Sequence, residues 1–298
     1  MNLTSLDQIV EIAARRPGRK IAVAAAHDEH VLKAIKKAFE MKLITPLLIG
    51  DRPEIRKIAA SVGLDIEDNT IINEPDPVKA CKTAVQEIRN GKAEILMKGM
   101  VATAPLLKAV LDKEEGLRKR GNLSHFALFQ TSFYHKLIGV TDAAMNISPE
   151  LHEKTAIIEN ASEVFHSFGI AKPKVAIIGP VEVINPRISS TLDAASLTQM
   201  NRRNQITSCF IDGPLAIDNA VSREAAKQKG IDSEVAGDAD LLVAPDLNSG
   251  NILYKSLIFL SDAKSAAVIL GAKVPIVLTS RADNEETKLY SIALAATI

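Results

Sequence analysis

The stretch KIAVAAAHDEHVLKAIKKAFEMKLITPLLI, Lys20 to Ile49, decides the fold class. Lys20 to Ala26 is an apolar run of strand length, and Thr45 to Ile49 is a second. Between them, from Glu29 to Met41, the apolar residues Val31, Leu32, Ile35, Ala38 and Phe39 recur at the spacing of one helical face. Strand, helix and strand in this order form a βαβ unit, so the sheet is expected to be mainly parallel. Asp28 stands where the helix starts and is expected to cap it. His27, Asp28, Glu29 and His30 also have the letters of a metal site, but no second His or Cys cluster supports one, and no metal is expected.

The alternation continues on both sides of this unit. Residues 81 to 90 read as a helix, Ala93 to Met97 as a strand and Pro105 to Leu111 as the next helix. Around Gly121-Asn122 the pattern changes to two short extended runs flanking Tyr134-His135-Lys136, a hairpin rather than a crossover. Helix 151 to 168, strand Lys174 to Ile178, helix 189 to 203, strand Thr207 to Ile211, helix 219 to 229 and strand 240 to 244 follow. Two α/β lobes with a first seam near 122 are expected, and no tandem repeat is visible.

Composition excludes several function classes. The 298 residues are 47% hydrophobic and 24% charged, enough to bury a sizeable core. Lys+Arg and Asp+Glu both number 36, so no global field draws in nucleic acid or a membrane surface, and an anion site has to be local. Cys81 and Cys209 show no pairing pattern, which suits a reducing cytoplasm, and Cys209 reads as a small buried side chain. Asp7 and Glu11 interrupt what a signal peptide would need, and Lys273 and Pro275 break the most apolar late run. Neither GxGxxG nor GxxxxGK[ST] occurs.

Four strand ends are followed by small, polar or cationic residues: Lys98 to Thr103, Thr141 to Asn146, Asn248 to Asn251, and Thr279 to Arg281. Ligands of open parallel sheets sit outside the carboxyl ends of strands, so these four loops are expected to share one cleft. Lys98 closes an apolar strand beside Gly99, which lets backbone approach a ligand, a pattern suited to phosphate contact. Thr103 is either an N-cap or a ligand contact, and Asp142 either a turn carboxylate or a ligand contact. Asn248 to Asn251 has the make-up of an anion-binding loop, with Asn251, Tyr254 and Lys255 following from it. Asp283 and Glu286 form a capping-box-like pair, whereas Ser280 and Arg281 precede the cap, and a guanidinium there can grip a phosphate in two places. The run Lys113 to Arg120 reads as a solvated helix end, with a nucleotide phosphate contact as the alternative.

The segments Glu182-Val-Ile-Asn-Pro186, Thr191-Leu-Asp-Ala-Ala195, Asp212 to Ala220 (DGPLAIDNA), Val235-Ala-Gly-Asp-Ala-Asp240, Ser249 to Lys255 (SGNILYK) and Leu278-Thr-Ser-Arg-Ala-Asp283 together resemble the phosphate acetyl/butyryltransferase family. The resemblance runs through nearly the whole chain and is densest from 175 to 295. It implies a fold like that of the isocitrate and isopropylmalate dehydrogenases, with mainly parallel sheets and an interlobe cleft. The lobes would be 1–122 plus 268–298, and 123–267, usually paired as a homodimer or a higher homo-oligomer. The implied reaction is acyl-CoA plus phosphate going reversibly to acyl phosphate plus CoA, both substrates rather than cofactors. Arg281 would hold the phosphoryl group and Ser280 would orient the thiol or donate to the oxyanion. Lys98, Gly99, Thr103, Asp142, Asn251, Tyr254 and Lys255 are the substrate-binding candidates. Acetyl-type members resemble Ser-Arg-Gly-Cys with an aspartate seven positions after the serine, where this chain has Thr287. Asp283, Asp142 and Glu286 are then the carboxylates available as base, Asp283 standing nearest Arg281 in the chain. Asn185-Pro186 and the TSRAD segment look more like the butyryl type. Acetyl transfer, a metal- and NAD-dependent dehydrogenase and a non-catalytic acyl-CoA-binding protein are the other readings.

Overall fold

The computed structural model describes residues 3–119, 121–279 and 283–298. Contacts divide the chain into two compact units, one formed by Asp7–Arg120 with Ala266–Ile298, the other by Met1–Leu6 with Gly121–Ser265.

The first unit opens with α1 (Leu6–Ala14), β1 (Arg19–Ala24), α2 (Glu29–Glu40), β2 (Ile44–Gly50), α3 (Arg52–Val62), β3 (Ile71–Asn73), α4 (Pro77–Arg89), β4 (Ile95–Lys98) and α5 (Thr103–Val110). The quoted stretch is a parallel βαβ unit, with Ile21 opposite Pro46 and Val23 opposite Leu48. Asp28 caps α2 by accepting from the Val31 amide at 2.9 Å, and Val31, Leu32, Ala34, Ile35 and Ala38 form its buried stripe. Phe39 lies at the margin of that stripe and is exposed.

The chain then builds the second unit from β5 (Ser124–Gln130), β6 (Ile138–Thr141), α6 (Leu151–Ser167), β7 (Lys174–Ile178), α7 (Ser189–Arg202), β8 (Phe210–Leu215), α8 (Ile217–Val221), α9 (Arg223–Gln228), β9 (Leu241–Val243) and α10 (Leu247–Leu260). Its strands lie in the order β5-β6-β9-β7-β8, parallel except for the expected hairpin, in which β5 runs antiparallel to β6. Two expectations shift. The strand placed at Thr207 to Ile211 begins only at Phe210, and the helix 219 to 229 is two short helices, because Ser222 is extended and caps the second of them. After β10 (Lys264–Leu270), β11 (Ile276–Val277) and α11 (Glu285–Thr297) complete the first unit, where β11 pairs in parallel with β4.

The VAGDAD segment, Val235 to Asp240, is structural. Asp238 and Asp240 precede β9, where they tie together the amino ends of three parallel strands. Lys136, buried just before β6, donates to Asp240 at 2.6 Å and to the Asp238 carbonyl at 2.9 Å. Lys174 at the start of β7 donates its Nζ to Asp238 at 2.7 Å and its amide to Asp240 at 2.7 Å. His135 lies 2.8 Å from Asp238, and Tyr134 donates to the Ala239 carbonyl at 2.8 Å. Gly237 has φ +74° and packs on Arg223, where a Cβ would fall 2.4 Å from that residue's Cα. Burial pushes the Asp238 carboxyl up, but hydrogen bonds from Lys174, His135 and Lys136 outweigh it and hold the group well below the usual carboxylate range.

A depressed carboxylate contributes stability above its unfolded pKa, ~3.9, and loses it as pH falls toward the folded value. Asp238→Asn should therefore lower stability at pH 7 by roughly 1.5–3 kcal/mol. Melting curves at pH 7 and pH 3 check this, with the gap between wild type and variant narrowing at pH 3.

Candidate functional site

In the first unit, β4 and β11 run side by side, with Leu96 opposite Ile276 and Met97 opposite Val277. Their carboxyl ends therefore bring Lys98 beside the segment that leads through Leu278 and Thr279. Lys98 is buried, and its ammonium donates to the carbonyls of Gly99 and Val101, both at 3.3 Å. The close approach that Gly99 permits is to the end of β1: a Cβ would sit 2.2 Å from the Ala25 carbonyl oxygen, and the Gly99 amide donates to Ala24 at 2.8 Å. Thr103 is not the N-cap. Ala102 holds that position, without a side-chain cap, and Thr103 is the first residue of α5.

Capping at α11 also differs from the expectation. Asn284, extended at φ −72° and ψ 172°, accepts from the Thr287 amide at 2.8 Å, so it displaces Asp283 one residue outward from the cap. Asp283 is half-buried, and its carbonyl accepts from Lys288. Ser280 and Arg281 lie outside the described residues.

In the second unit, β6 and β9 are parallel neighbours and the Asp142 turn follows β6. Asp142 is 4% exposed, and its carboxylate accepts four hydrogen bonds: from the amides of Ala144 (2.8 Å), Met145 (3.0 Å) and Asn146 (3.2 Å), and from Asn146 Nδ2 (2.6 Å). Asn248 to Asn251 is not a loop. Helix α10 already begins at Leu247, and Asp246 accepts from the Ser249 amide at 2.8 Å and the Gly250 amide at 3.0 Å. Those two N–H groups are thus satisfied by protein oxygen rather than offered to an anion. Asn251 donates from Nδ2 to the Ala143 carbonyl at 3.0 Å. Tyr254 is half-buried, edge-on to His125 at 5.4 Å and to Phe129 at 5.4 Å, whereas Lys255 is exposed.

His125 is the residue that strand-end reasoning missed. Because β5 is antiparallel to β6, with Phe126 opposite Thr141, the amino end of β5 lies at the carboxyl end of β6 and His125 sits across from Asp142. A search of carboxyl ends alone passes over it. Burial lowers the pKa of His125, opposed by the charge of Asp142, so the ring is neutral at pH 7.

A groove between α4 and α5 encloses about 660 Å³. Val78, Lys82, Val85 and Arg89 line it from α4, and Pro105 and Lys108 from α5. The α4 residues recur at the spacing of one helical stripe, a mixed apolar and basic pattern that was legible in the sequence. The run from Lys113 is a loop rather than a helix end, since α5 stops at Val110 and Asp112 accepts from the amides of Glu114 and Glu115. Both cysteines are buried, and burial pushes the Cys81 thiol up to about 11. Among the described residues no group of three or more His, Cys, Asp or Glu side chains is placed to hold a metal ion.

The family model described as Phosphate acetyl/butaryl transferase matches residues 5–87 and 77–296. The chain belongs to this family. Phosphate acetyl/butyryl transferases are acyltransferases, and two relatives show how evenly this chain resembles both kinds. A phosphate butyryltransferase of Clostridium acetobutylicum is 46% identical over 296 residues, which cover 99% of this chain and 98% of the relative. A phosphate acetyltransferase of Thermotoga maritima is 45% identical over 291 residues, 98% of each chain. Among solved structures, a branched-chain phosphotransacylase from Enterococcus faecalis superposes with a TM-score of 0.81 at 33% identity, over 94% of this chain and 99% of that one. The transferase family therefore accounts for nearly the whole chain and for its mainly parallel α/β fold.

The contact between Gly250 and the Asp142 turn is tight enough to test. A Cβ on Gly250 would lie 2.1 Å from the Asp142 carbonyl oxygen, whereas one on Gly179 meets nothing nearer than 3.8 Å. Gly250→Ala should destabilise by about 1–3 kcal/mol, the range for overpacking. Gly179→Ala serves as the control with little change, both read from thermal melting.

Proposed function

We propose that the protein converts a short-chain acyl-CoA and phosphate reversibly to acyl phosphate and CoA, with butyryl or a similar four-carbon chain preferred. The observation that carries this reading is the α4–α5 groove, whose upper end reaches Ala104 and Pro105 beside Thr103. Its volume is within the range of small-ligand sites, ~300–1,000 Å³. Lys82, Arg89 and Lys108 beside the apolar Val78, Val85 and Pro105, with Asp112 and Glu115 also in the lining, suit a ligand with several phosphates and a planar base, which is the adenosine end of CoA. The thiol end then extends past the amino end of α5 toward the β4 strand end and Lys98.

The chemistry makes three demands. The CoA thiol, with a free pKa of ~8.5, has to lose its proton before it can attack a carbonyl. The tetrahedral oxyanion needs donors, each contributing on the order of 3 kcal/mol. Phosphate has to be held with its charge offset. Arg281 is assigned to the phosphoryl group, Ser280 to the thiol or the oxyanion, and Lys98 and Thr103 to further anion contacts. Asp283, displaced from the cap by Asn284, stands nearby in the chain as a carboxylate for proton transfer. CoA and phosphate are substrates in this scheme, and no cofactor or metal takes part. One methylene in an apolar pocket discriminates by only ~1–3 kcal/mol, so acetyl transfer is the neighbouring reading.

A homo-oligomer is part of the proposal, supported by α10, where Ile252, Phe259 and Leu260 are 67%, 74% and 84% exposed. No described helix is long and apolar enough to cross a membrane. The two buried, unpaired thiols suit a reducing cytoplasm.

A thiol-release assay with acetyl-, propionyl-, butyryl- and isobutyryl-CoA tests the reaction. Thiol should appear only when phosphate is added, fastest with the four-carbon chains, and EDTA should not stop it. Release without phosphate would indicate a thioesterase and refute the transferase reading.

The groove is tested separately by the triple substitution Lys82→Ala, Arg89→Ala and Lys108→Ala. At ~0.2–1 kcal/mol for each exposed ion pair, the three together should raise KM for acyl-CoA roughly 3- to 150-fold. They should also abolish any preference of the wild type for CoA over 3′-dephospho-CoA while leaving KM for phosphate unchanged.

A further inference from the structure

We propose, building on the transferase reading, that Asp112 is the residue by which the α4–α5 groove selects adenine: its carboxylate accepts from the exocyclic amine of the base and rejects purines that carry a carbonyl there. The whole groove lies in the first unit. Helix α4 follows β3 and α5 follows β4, and because the strands β3-β2-β1-β4 are parallel, the two helices run in the same direction. Their starts put Val78 with Ala104 and Pro105 at the upper end. Lys82 and Lys108 come one helical turn further down. Arg89, Asp112 and Glu115 close the lower end, where Arg89 Nη1 donates to the Glu114 carbonyl at 2.8 Å.

This order matches the order of groups along CoA when the thiol points to the upper end. The pantetheine arm meets the apolar walls, the diphosphate meets Lys82 and Lys108, and the ribose 3′-phosphate and the base reach Arg89 and Asp112. From Lys82 to Arg89 the helix advances roughly 10 Å at ~1.5 Å per residue, the reach of a nucleoside from its 5′-phosphates to its base. Phosphate binding alone leaves the two carboxylates unexplained. In a groove built only for a polyanion they repel the ligand, and among the described residues neither forms an ion pair that would offset its charge. A donor on the ligand removes that conflict. At this end CoA presents two, the ribose 2′-hydroxyl and the adenine amine.

Of the two carboxylates, Asp112 is the one held in place. Its Oδ1 accepts from the amides of Glu114 at 3.0 Å and Glu115 at 2.8 Å, and Gly116 lets the turn close, since a Cβ there would fall 2.4 Å from the Asp112 carbonyl oxygen. The Glu115 and Glu114 amides hold its carboxyl below the usual carboxylate range, so it stays an ionised acceptor, and Oδ2 has no partner among the described residues. Gln86 and Asn90 also line the groove, but a side-chain amide turns to present either a donor or an acceptor. A fixed carboxylate only accepts. It therefore bonds the adenine amine and repels the 6-carbonyl of hypoxanthine or guanine.

The test is calorimetric binding of adenosine 3′,5′-diphosphate and inosine 3′,5′-diphosphate to the full chain. Binding needs no turnover, so it reads the groove separately from the transferase reading, which the thiol-release assay decides. The wild type should bind the adenosine nucleotide about 5- to 150-fold more tightly than the inosine one. Asp112→Asn keeps an oxygen for the two turn amides and gives the ligand an amide that can donate to a carbonyl, so the two affinities should become nearly equal. A purely structural role in the turn would leave their ratio unchanged. Lys82→Ala should weaken both nucleotides alike, which places them in the groove. If Asp112→Asn fails to fold, the wild-type ratio decides. Equal wild-type affinities, a ratio that survives in folded Asp112→Asn or is lost in Glu115→Gln instead, or binding indifferent to Lys82→Ala would each overturn the assignment. So would no binding of adenosine 3′,5′-diphosphate to a chain that releases thiol with phosphate, an outcome that spares the transferase reading. The expected ratio without phosphate-dependent thiol release would do the reverse.

Discussion

The four hydrogen bonds accepted by the Asp142 carboxylate are the constraint from which the second unit's strand end is built. They close the chain leaving β6 into a turn whose carbonyls face α10. Gly250 lets the helix backbone approach the Asp142 carbonyl more closely than any Cβ would allow, and Asn251 fastens the contact through the Ala143 carbonyl. With the helix held there, Tyr254 falls against His125 and Phe129. A carboxylate that reads as a candidate ligand contact is thus, in the folded protein, the organiser of its neighbours.

The two ends of the β6-β9-β7 sheet do different work. At the amino ends, Lys136, Lys174, Asp238 and Asp240 form a closed network in which each buried charge meets an opposite one. Breaking one partner would leave the others uncompensated, so this end resists change. At the carboxyl ends the polar groups are less complete, and His125 keeps an unpaired nitrogen. The separation follows from parallel strands, which place loops and helix starts on one side and the incoming connections on the other.

Much of the fold was legible in the residues from Lys20 to Ile49, from the Asp28 cap and from the hairpin around Tyr134 to Lys136. Each rests on hydrophobic period or turn chemistry within a few residues. Helix registers were less legible. Asp283 and Asn284 have equivalent capping chemistry, and it is Asn284 that accepts from the Thr287 amide. Asn248 to Asn251 has the composition of a loop, yet Asp246 starts the helix before it.

Apolar periodicity and strand–helix order are local properties of the chain, and they were enough to read the parallel α/β class and the strand ends at which function is sought. Which polar groups at those ends are already satisfied, and which are not, emerges from the folded arrangement alone. Gly250 meets a carbonyl 108 positions away in the chain, and His125 reaches Asp142 only because one strand of the hairpin runs backwards. Hydrogen-bond satisfaction depends on partners that folding brings from far along the chain, and no local pattern carries that information.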